Sequence, residues 1–566
     1  VPAIHFDRYP RFAELTEWLH QLAADHPDLL TLSEAGRSHE GRELWLATIT
    51  NAATGPHDDK PALWLDGNIH ASEVTASVAL LHLINHLCTG YGNDEKVTRA
   101  LDTRTFYVLP RVNPDGAELA LSEVPFIVRS TTREWPRTDQ QDGLVGADID
   151  NDGRALQMRI PDANGTWKLC SADHRLLVPR EPDEDGPGPY YRLLREGRVQ
   201  GYDGVTIANA PPLAGIDSNR NYPFEWRRFP KGGTSPSGSG DFPTSEPEVR
   251  AVVQGIVDRP NVTGYLAYHT WSGVHLRPYS DRSDDEMAST DLWTYRAIGE
   301  RLTAITGYPS VSVFHDFRYD PKDVITGVAD DWAYDHRGVY SWTTEFWNPL
   351  KAAGIENAHP IEWYRKHSTD DELQLLAWVD ENVPDGYVDW YPYDHPELGP
   401  VELGGWNIAS VFRNPPPHLL EAEVAPHSDL AVFHALISPL LRTREATAEH
   451  VDGDTWRVRF VVENTGWLPT NVTKQAIDKR VVLPVRATIT LPDGASLVTG
   501  TTLIELGQLG GRALRDGSIG VFGVTFDGTT DRALAEWLVR APAGTQVTLE
   551  ARCERAGVAR AEVTLA

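Results

Sequence analysis

The sequence predicts an α/β layer architecture followed by a β-sandwich, and three observations carry that prediction. Strand-like apolar runs alternate with helix-period segments through the first 380 residues. One of those runs, "ALWLDG", is apolar almost without interruption, as a strand covered on both faces is. Beyond Leu441 the pattern changes to short runs of alternating polar and apolar residues separated by turn signals. A chain of 566 residues is long enough for a large enzyme core and an accessory module.

Taken in order, "RFAELTEWLHQLAADHP" reads as an amphipathic helix, and "LLTLSEAG" and "ELWLATIT" read as strands. The "ALWLDG" strand is followed by the helix "VTASVALLHLINHLCTG", with Gly90 at the C-cap place. "TFYVLPRVNPDG" is a strand ending in a turn. Between about 124 and 215 the pattern breaks into a polar stretch rich in Asp, Pro, Gly and Arg, which reads as an insertion over one face. Regular signals resume with the helix "EPEVRAVVQGIV" and the strands "VTGYLAYHTW" and "GVYSWTTEFW". A Pro/Tyr/Trp-rich connector with "NPPP" at 414–417 then leads into a helix-like stretch. The runs "TWRVRFVVENTG", "VRATITLP" and "TQVTLEARCERAGVARAEVTL" give the β-sandwich. The expected division is therefore a catalytic domain over 1–380, a connector packed on it over 381–441, and an accessory sandwich over 442–566.

Composition narrows the function. At 41% hydrophobic residues the chain is globular, and no run approaches the roughly 20 apolar residues that span a bilayer. A formal net charge of −29 speaks against nucleic acid and anionic membrane as partners. Three scattered cysteines (Cys88, Cys170, Cys553) make neither a disulfide framework nor a metal motif, which favours a reducing compartment. The first residues show no basic or apolar signal region, so a cytoplasmic location is the expectation. The missing initiator Met leaves a trimmed leader, and hence secretion, open. Nothing in the sequence addresses the oligomeric state.

The chemistry concentrates in "GNIHASEVTAS", where His70 and Glu73 sit three apart as a strand gives way to a helix. Alone, Glu73 reads equally well as a first-turn glutamate facing the helix dipole. His269 ends the apolar strand of "GYLAYHTWSG", where open α/β sheets place their sites. Two histidines and one carboxylate leave a fourth tetrahedral position free, the composition of a catalytic zinc site. No G-x-S-x-G elbow and no phosphate-binding G-x-x-x-x-G-K-[ST] loop is present.

Six motifs in order, over roughly 7–380, resemble the M14 zinc carboxypeptidases of the carboxypeptidase A/B type. They are "GNIHASE", "RVNPDGAE", "DSNRNYPFEW", "TSEPEVRAV", "AYHTWSG" and "DDWAYDHRGVYSWTTEFW". The resemblance implies a mixed central sheet flanked by helices, and one zinc per chain on His70, Glu73 and His269. It implies Glu345 as the general base, Asn219 and Arg220 as ligands of a substrate's terminal carboxylate, and Asp217 as a structural partner. It also implies an arginine that polarises the scissile carbonyl, for which Arg129 fits the spacing best and Arg133 is the alternative. The substrate would be the C-terminus of a peptide or protein. Alternatives are the same amide chemistry on cell-wall or γ-linked peptides, and a non-catalytic binding protein.

There are departures from the family pattern. Ser72 stands where the digestive enzymes often carry arginine, and no tyrosine occupies the place of the capping tyrosine. An ungapped count gives Asp323 there, and Tyr319 is the nearest tyrosine. Asp330 falls at the position the resemblance assigns to the base of the side-chain pocket, which implies a preference for C-terminal Arg or Lys. Separately, "DIDNDG" sets Asp148, Asp150 and Asp152 at alternate positions, as in the first half of a calcium loop. The twelfth position is Arg159, so an EF-hand is excluded, and the competing reading is a solvated acidic turn. The C-terminal module has no clustered His, Cys or paired carboxylates, so it reads as stabilising or docking. A carbohydrate-binding role would need exposed aromatics, and Trp456, Trp467 and Trp537 are the candidates.

Overall fold

The structure is a computed structural model, and it describes residues 4–123, 128–230, 238–356, 359–513, 518–520, 523–524 and 528–566. The first helix, Phe12–Asp25, shows how the pattern becomes packing. Leu15, Trp18, Leu19 and Leu22 recur at helical spacing and all are buried.

An eight-stranded mixed sheet forms the centre. Its order is Leu30–Arg37, Glu43–Ile49, Thr105–Leu109, Ala62–Gly67, Val262–Thr270, Tyr340–Phe346, Val274–Arg277 and Ser310–Ser312. The four middle strands run parallel, and antiparallel pairs flank them. Every residue of Thr105–Leu109, Ala62–Gly67 and Val262–Thr270 is buried, because helices cover both faces. The two covers can be told apart at two glycines. A Cβ on Gly255, in the Pro247–Val257 helix, would run into the ring of Trp64. A Cβ on Gly264 would meet His434 of the Pro417–Leu436 helix and Leu63, on the opposite face. The Thr75–Gly90 helix packs beside Pro417–Leu436.

Register sets the position of the site. His269 pairs with Glu345, and Tyr268 pairs with Gly67, so three adjacent parallel strands end together. Their carboxyl ends face one crevice, where such sheets bind ligands.

The polar insertion is built of strands, and the connector completes it. Gln157–Pro161, Trp167–Leu169, Leu177–Pro179 and Tyr191–Arg195 form one six-stranded sheet with Tyr387–His395 and Gly399–Trp406. Arg159 fixes the join by pairing with Glu402 at 2.8 Å. Its guanidinium lies 4.8 Å from the Tyr191 ring and 4.5 Å from that of Trp390. The connector's aromatics thus serve as strand residues, and Trp390 as a cation platform, within the segment expected as a connector packed on the catalytic domain.

The last 125 residues hold two four-stranded antiparallel sheets. Val458, Phe460, Trp537 and Val539 of one pack with Ala487, Ile489, Leu549 and Ala551 of the other in a shared core. Trp456 and Trp537 are buried there, and Trp467 packs against the core of the large sheet. The three tryptophans are therefore used in packing and form no exposed platform. All three cysteines are buried and free, and no helix among the described residues is long and apolar enough to cross a membrane.

Candidate metal centre and cleft

The turn after Ala62–Gly67 delivers the first donors. Asn68 has a left-handed φ of 60°, which asparagine tolerates better than most residues. Its side chain donates to the carbonyl oxygen of His70 at 2.7 Å and accepts from Ser77 Oγ at 3.2 Å. His70 is thereby held at the strand end, and Glu73 lies on the approach to the Thr75–Gly90 helix.

His70, Glu73 and His269 converge. His70 Nδ1 lies 2.9 Å from Glu73 Oε1, and His269 Nδ1 lies 3.0 Å from Glu73 Oε2 and 3.1 Å from His70 Nδ1. All three are buried. Burial works to raise the Glu73 carboxyl, but His70 and His269 hold it well below the ordinary value. Burial lowers His269, the neutral form a metal ligand needs.

Asp217 orients this group from behind. It caps the short Ser218–Arg220 turn through the Asn219 amide at 3.0 Å. The same oxygen lies 3.1 Å from His70 Nε2, which leaves Nδ1 facing the cluster. The other oxygen accepts from Arg129 Nε at 3.0 Å. Against its burial, Arg129, Arg220 and His70 keep the Asp217 carboxyl well below the usual range.

Arg129 lies at the cleft and Arg133 does not. The Arg129 carbonyl oxygen accepts from Ala71 N at 3.2 Å, and its Nη1 is 3.4 Å from Glu73 Oε1. Its side chain keeps 25% exposure. Arg133 is committed to Glu246 at 2.7 Å and Asp241 at 3.3 Å.

A small cavity of about 50 Å³ is lined by His70, His269, Arg129, Asn219, Arg220, Tyr319, Asp330 and Glu345. Asn219 accepts from Ala329 N at 3.0 Å, and a Cβ on Gly327 would strike the Arg220 carbonyl, so the "GVADD" loop closes tightly on this turn. Asp330 Oδ2 is buried without a partner, and burial pushes its carboxyl up to about 6. Arg337 makes no ion pair with it among the described residues. Glu345 Oε2 is likewise buried without a partner. Burial first, and Glu73 second, push the Glu345 carboxyl well above its usual value. Asp323 is not among the residues lining this cavity.

The acidic turn has a different membership from the one its spacing suggests. Asp148, Asp150 and Glu196 form the group that could converge on a cation. Asp152 turns to Arg154 Nε at 2.8 Å. Asp148 accepts from the amides of Asp152 and Gly153, Asp150 accepts from Tyr391 Oη, and Glu196 accepts from the amides of Ile149 and Leu156.

One residue was missed by sequence reasoning. Arg413 of the connector sits at the cleft, where burial lowers its guanidinium and Glu73, Tyr319 and Glu345 act to raise it. A lone arginine in "SVFRNPPP" carries no spacing signal that would have found it.

The parallel strands of this α/β sheet thus end in a buried His-Glu-His cluster that could hold a metal ion, with an unpartnered oxygen of Glu345 in the same cleft. The family model described as zinc carboxypeptidase matches residues 15–159 and 191–364, and the chain belongs to that family. A domain of unknown function matches 440–564. Carboxypeptidase B of Astacus astacus is 24% identical over 352 residues, 60% of this chain and 86% of that one. Carboxypeptidase A2 of Rattus norvegicus is 24% identical over 350 residues, 60% of this chain and 63% of its own length. Among solved structures, carboxypeptidase A from Helicoverpa armigera aligns at 18% identity with a TM-score of 0.40, covering 67% of this chain and 76% of that one.

Proposed function

We propose that this chain is a zinc-dependent metallocarboxypeptidase that hydrolyses the C-terminal peptide bond of peptides or proteins. The observation that carries the reading is Glu345, whose unpartnered oxygen shares one small cavity with His70, His269 and Arg220. The donor set suits zinc: two imidazole nitrogens and a carboxylate converge, and Asp217 fixes the orientation of His70. Zinc held by His70, Glu73 and His269 would supply a Lewis acid that polarises the carbonyl and acidifies the attacking water.

The chain's own residues do the rest. Glu345 takes the proton from the attacking water and delivers it to the leaving amine. Arg129, half-buried beside Glu73, donates to the carbonyl oxygen as negative charge develops there. Arg220 offers a planar fork to the terminal carboxylate, with Asn219 beside it and Tyr319 on the cavity wall as the capping group. Asp330, which shares the cavity lining with Leu276, Ile325 and Val328, selects a basic side chain, since its carboxylate has no ion-pair partner among the described residues. Calcium is left out of the reading, because the acidic turn's carboxylates already accept hydrogen bonds from their own loop and from Tyr391.

Metal analysis should find about one zinc per chain, and His70→Ala or His269→Ala should lose metal and activity together. Glu345→Gln should keep both zinc and fold while turnover falls by about a hundredfold or more. Near-normal turnover in that variant would sink the mechanism. On matched substrates C-terminal Arg should exceed Phe in kcat/KM, and Asp330→Ala should erase that ratio.

A further inference from the structure

We propose that Arg413, carried by the connector, is a substrate-positioning residue that binds a side-chain carboxylate on the peptide just upstream of the bond to be cut. The inference rests on the carboxypeptidase reading above.

Two clamps bring Arg413 to the cleft. Before it, the carbonyl oxygen of Val411 accepts from Trp347 Nε1 at 2.8 Å, two residues beyond Glu345. After it, Asn414 Nδ2 donates to the carbonyl oxygen of Ser72 at 2.8 Å, one residue before Glu73. Asn414 Oδ1 also accepts from the amide and hydroxyl of Thr75 at 3.1 and 2.8 Å. A four-residue span is thus tied at one end to the flank of the candidate base and at the other to the flank of a candidate metal ligand. Phe412 is buried against Tyr364 and Trp406, which fixes the span further.

The Arg413 side chain makes no hydrogen bond or ion pair with the described residues. The charged and titratable groups acting on it are Glu73, Glu345, Tyr319, Tyr364 and, with like sign, Arg129. Arg129 and Arg133 by contrast have carboxylate partners in contact. Arg413 is half-buried, and with five donors and no partner among the described residues its guanidinium is free to take a ligand.

Position selects the part of the ligand. Arg220 and Asp330 lie in the small cavity, whose walls do not include Arg413. Its span is held between the flanks of Glu345 and Glu73 by the two clamps, outside the small cavity. A peptide with its C-terminal residue in the small cavity leaves its upstream part outside it, and that is the part left for a residue that does not line the cavity. An acidic side chain there meets the fork bidentately and offsets the repulsion from Arg129.

The test uses two blocked tripeptides ending in the same arginine, one with Glu and one with Gln before it. Calorimetric binding is measured on full-length Glu345→Gln protein, alone and combined with Arg413→Met or Arg413→Lys. The Glu peptide should bind several-fold tighter than the Gln peptide. Arg413→Met should weaken the Glu peptide by about tenfold and leave the Gln peptide nearly unchanged, and Arg413→Lys should restore part of the preference. Equal loss for both peptides, or an unchanged Glu/Gln ratio in Arg413→Met protein with a normal melting temperature, overturns the proposal. If Arg413→Met does not fold, Arg413→Lys decides, because a full Glu preference without the fork overturns it too. Turnover of the same peptides by the unmodified protein tests the underlying reading separately, so the two failures are distinct.

Discussion

Asp217 and Glu248 show what single buried carboxylates contribute. Asp217 never joins the donor cluster, yet one of its oxygens faces His70 Nε2 and the other holds Arg129. Asp217→Asn should therefore lower zinc affinity by about 10–100-fold in a chelator competition, with the fold retained. Unchanged affinity would reduce Asp217 to a turn cap. Glu248 is different: one oxygen accepts from His39 N at 2.7 Å and the other has no partner. Burial, with Asp115 and Glu246 adding to it, pushes its carboxyl up to about 7 from an ordinary 4.5. The unfolded chain thus ionises first as pH rises, and stability falls from about pH 4.5 until the folded group ionises near 7. The loss is on the order of 3 kcal/mol at pH 8. Glu248→Gln keeps the acceptor for His39 and cannot ionise, so denaturant unfolding at pH 5 and pH 8 should show a flatter dependence than the parent. Parallel curves would refute the assignment. His70 and Glu73 were legible because three residues of sequence place both donors, and His269 because a strand end announces itself. Arg413 was not, because it is brought in by a hydrogen bond between residues 342 apart.

The Pro114–Ala120 helix is the element packed against the backbone beside Arg129, at Ser130. Asn113 caps this helix through Gly116 N at 2.9 Å and donates to the carbonyl oxygens of Ile69 and Ser130. Asp115 binds Ser38, Glu40 N and Arg42. Gly116 is required by space: a Cβ there would lie 2.6 Å from Asn113 Nδ2, 2.6 Å from the Ser130 carbonyl and 2.7 Å from Ala71 Cβ. Gly116→Ala should cost about 1–3 kcal/mol in denaturant unfolding and lower kcat, because the strain falls between His70 and Arg129. A variant as stable and active as the parent would show that the loop relaxes freely. The acidic turn at Asp148 is an element closed by its own backbone and Tyr391, so calcium added to metal-stripped protein should leave its melting temperature unchanged. A clear upward shift would restore the calcium expectation with Glu196 as the third ligand. The main-sheet strands were readable because burial on both faces leaves unbroken apolar runs such as "ALWL". The insertion and connector strands were not. Their partners are distant, as in the Arg159–Glu402 pair, and their surfaces are polar and aromatic, so no local alternation marks them.

On the scale of the whole molecule, the sandwich and the catalytic fold share more than a boundary at Leu441. Leu468 and Val472 belong to the same buried cluster as the core of the large sheet. The Lys474–Asp478 helix presents Lys474 N and Gln475 N to Asp291 at 2.7 and 3.0 Å, and Thr473 Oγ1 donates to the Gly338 carbonyl at 2.8 Å. A Cβ on Gly338, where φ is 61°, would collide with Ala476. Arg555 is buried, and its guanidinium donates to the carbonyl oxygens of Gly338, Asn471 and Arg337. Farther out, Arg552 and Arg560 both pair with Asp59. The contacts of Thr473, Ala476 and Arg555 lie at the C-terminal end of the Ala329–Arg337 helix, which carries Asp330, so the sandwich buttresses the wall of the side-chain pocket from behind. A chain ending at Leu441 strips apolar groups from the large core and leaves Asp291 and the Gly338 carbonyl without their partners. It should therefore melt well below the full chain, rather than survive as an intact catalytic unit. Arg555→Met tests the same coupling more gently, since it keeps much of the side-chain volume but removes the guanidinium's bonds to three carbonyl oxygens, of which those of Gly338 and Asn471 keep a donor in Thr473. It should cost about 2–4 kcal/mol, and the protein should still unfold in one transition. Two separated transitions, or a truncated chain as stable as the parent, would show that the two parts fold independently and that the pocket wall needs no support from the sandwich.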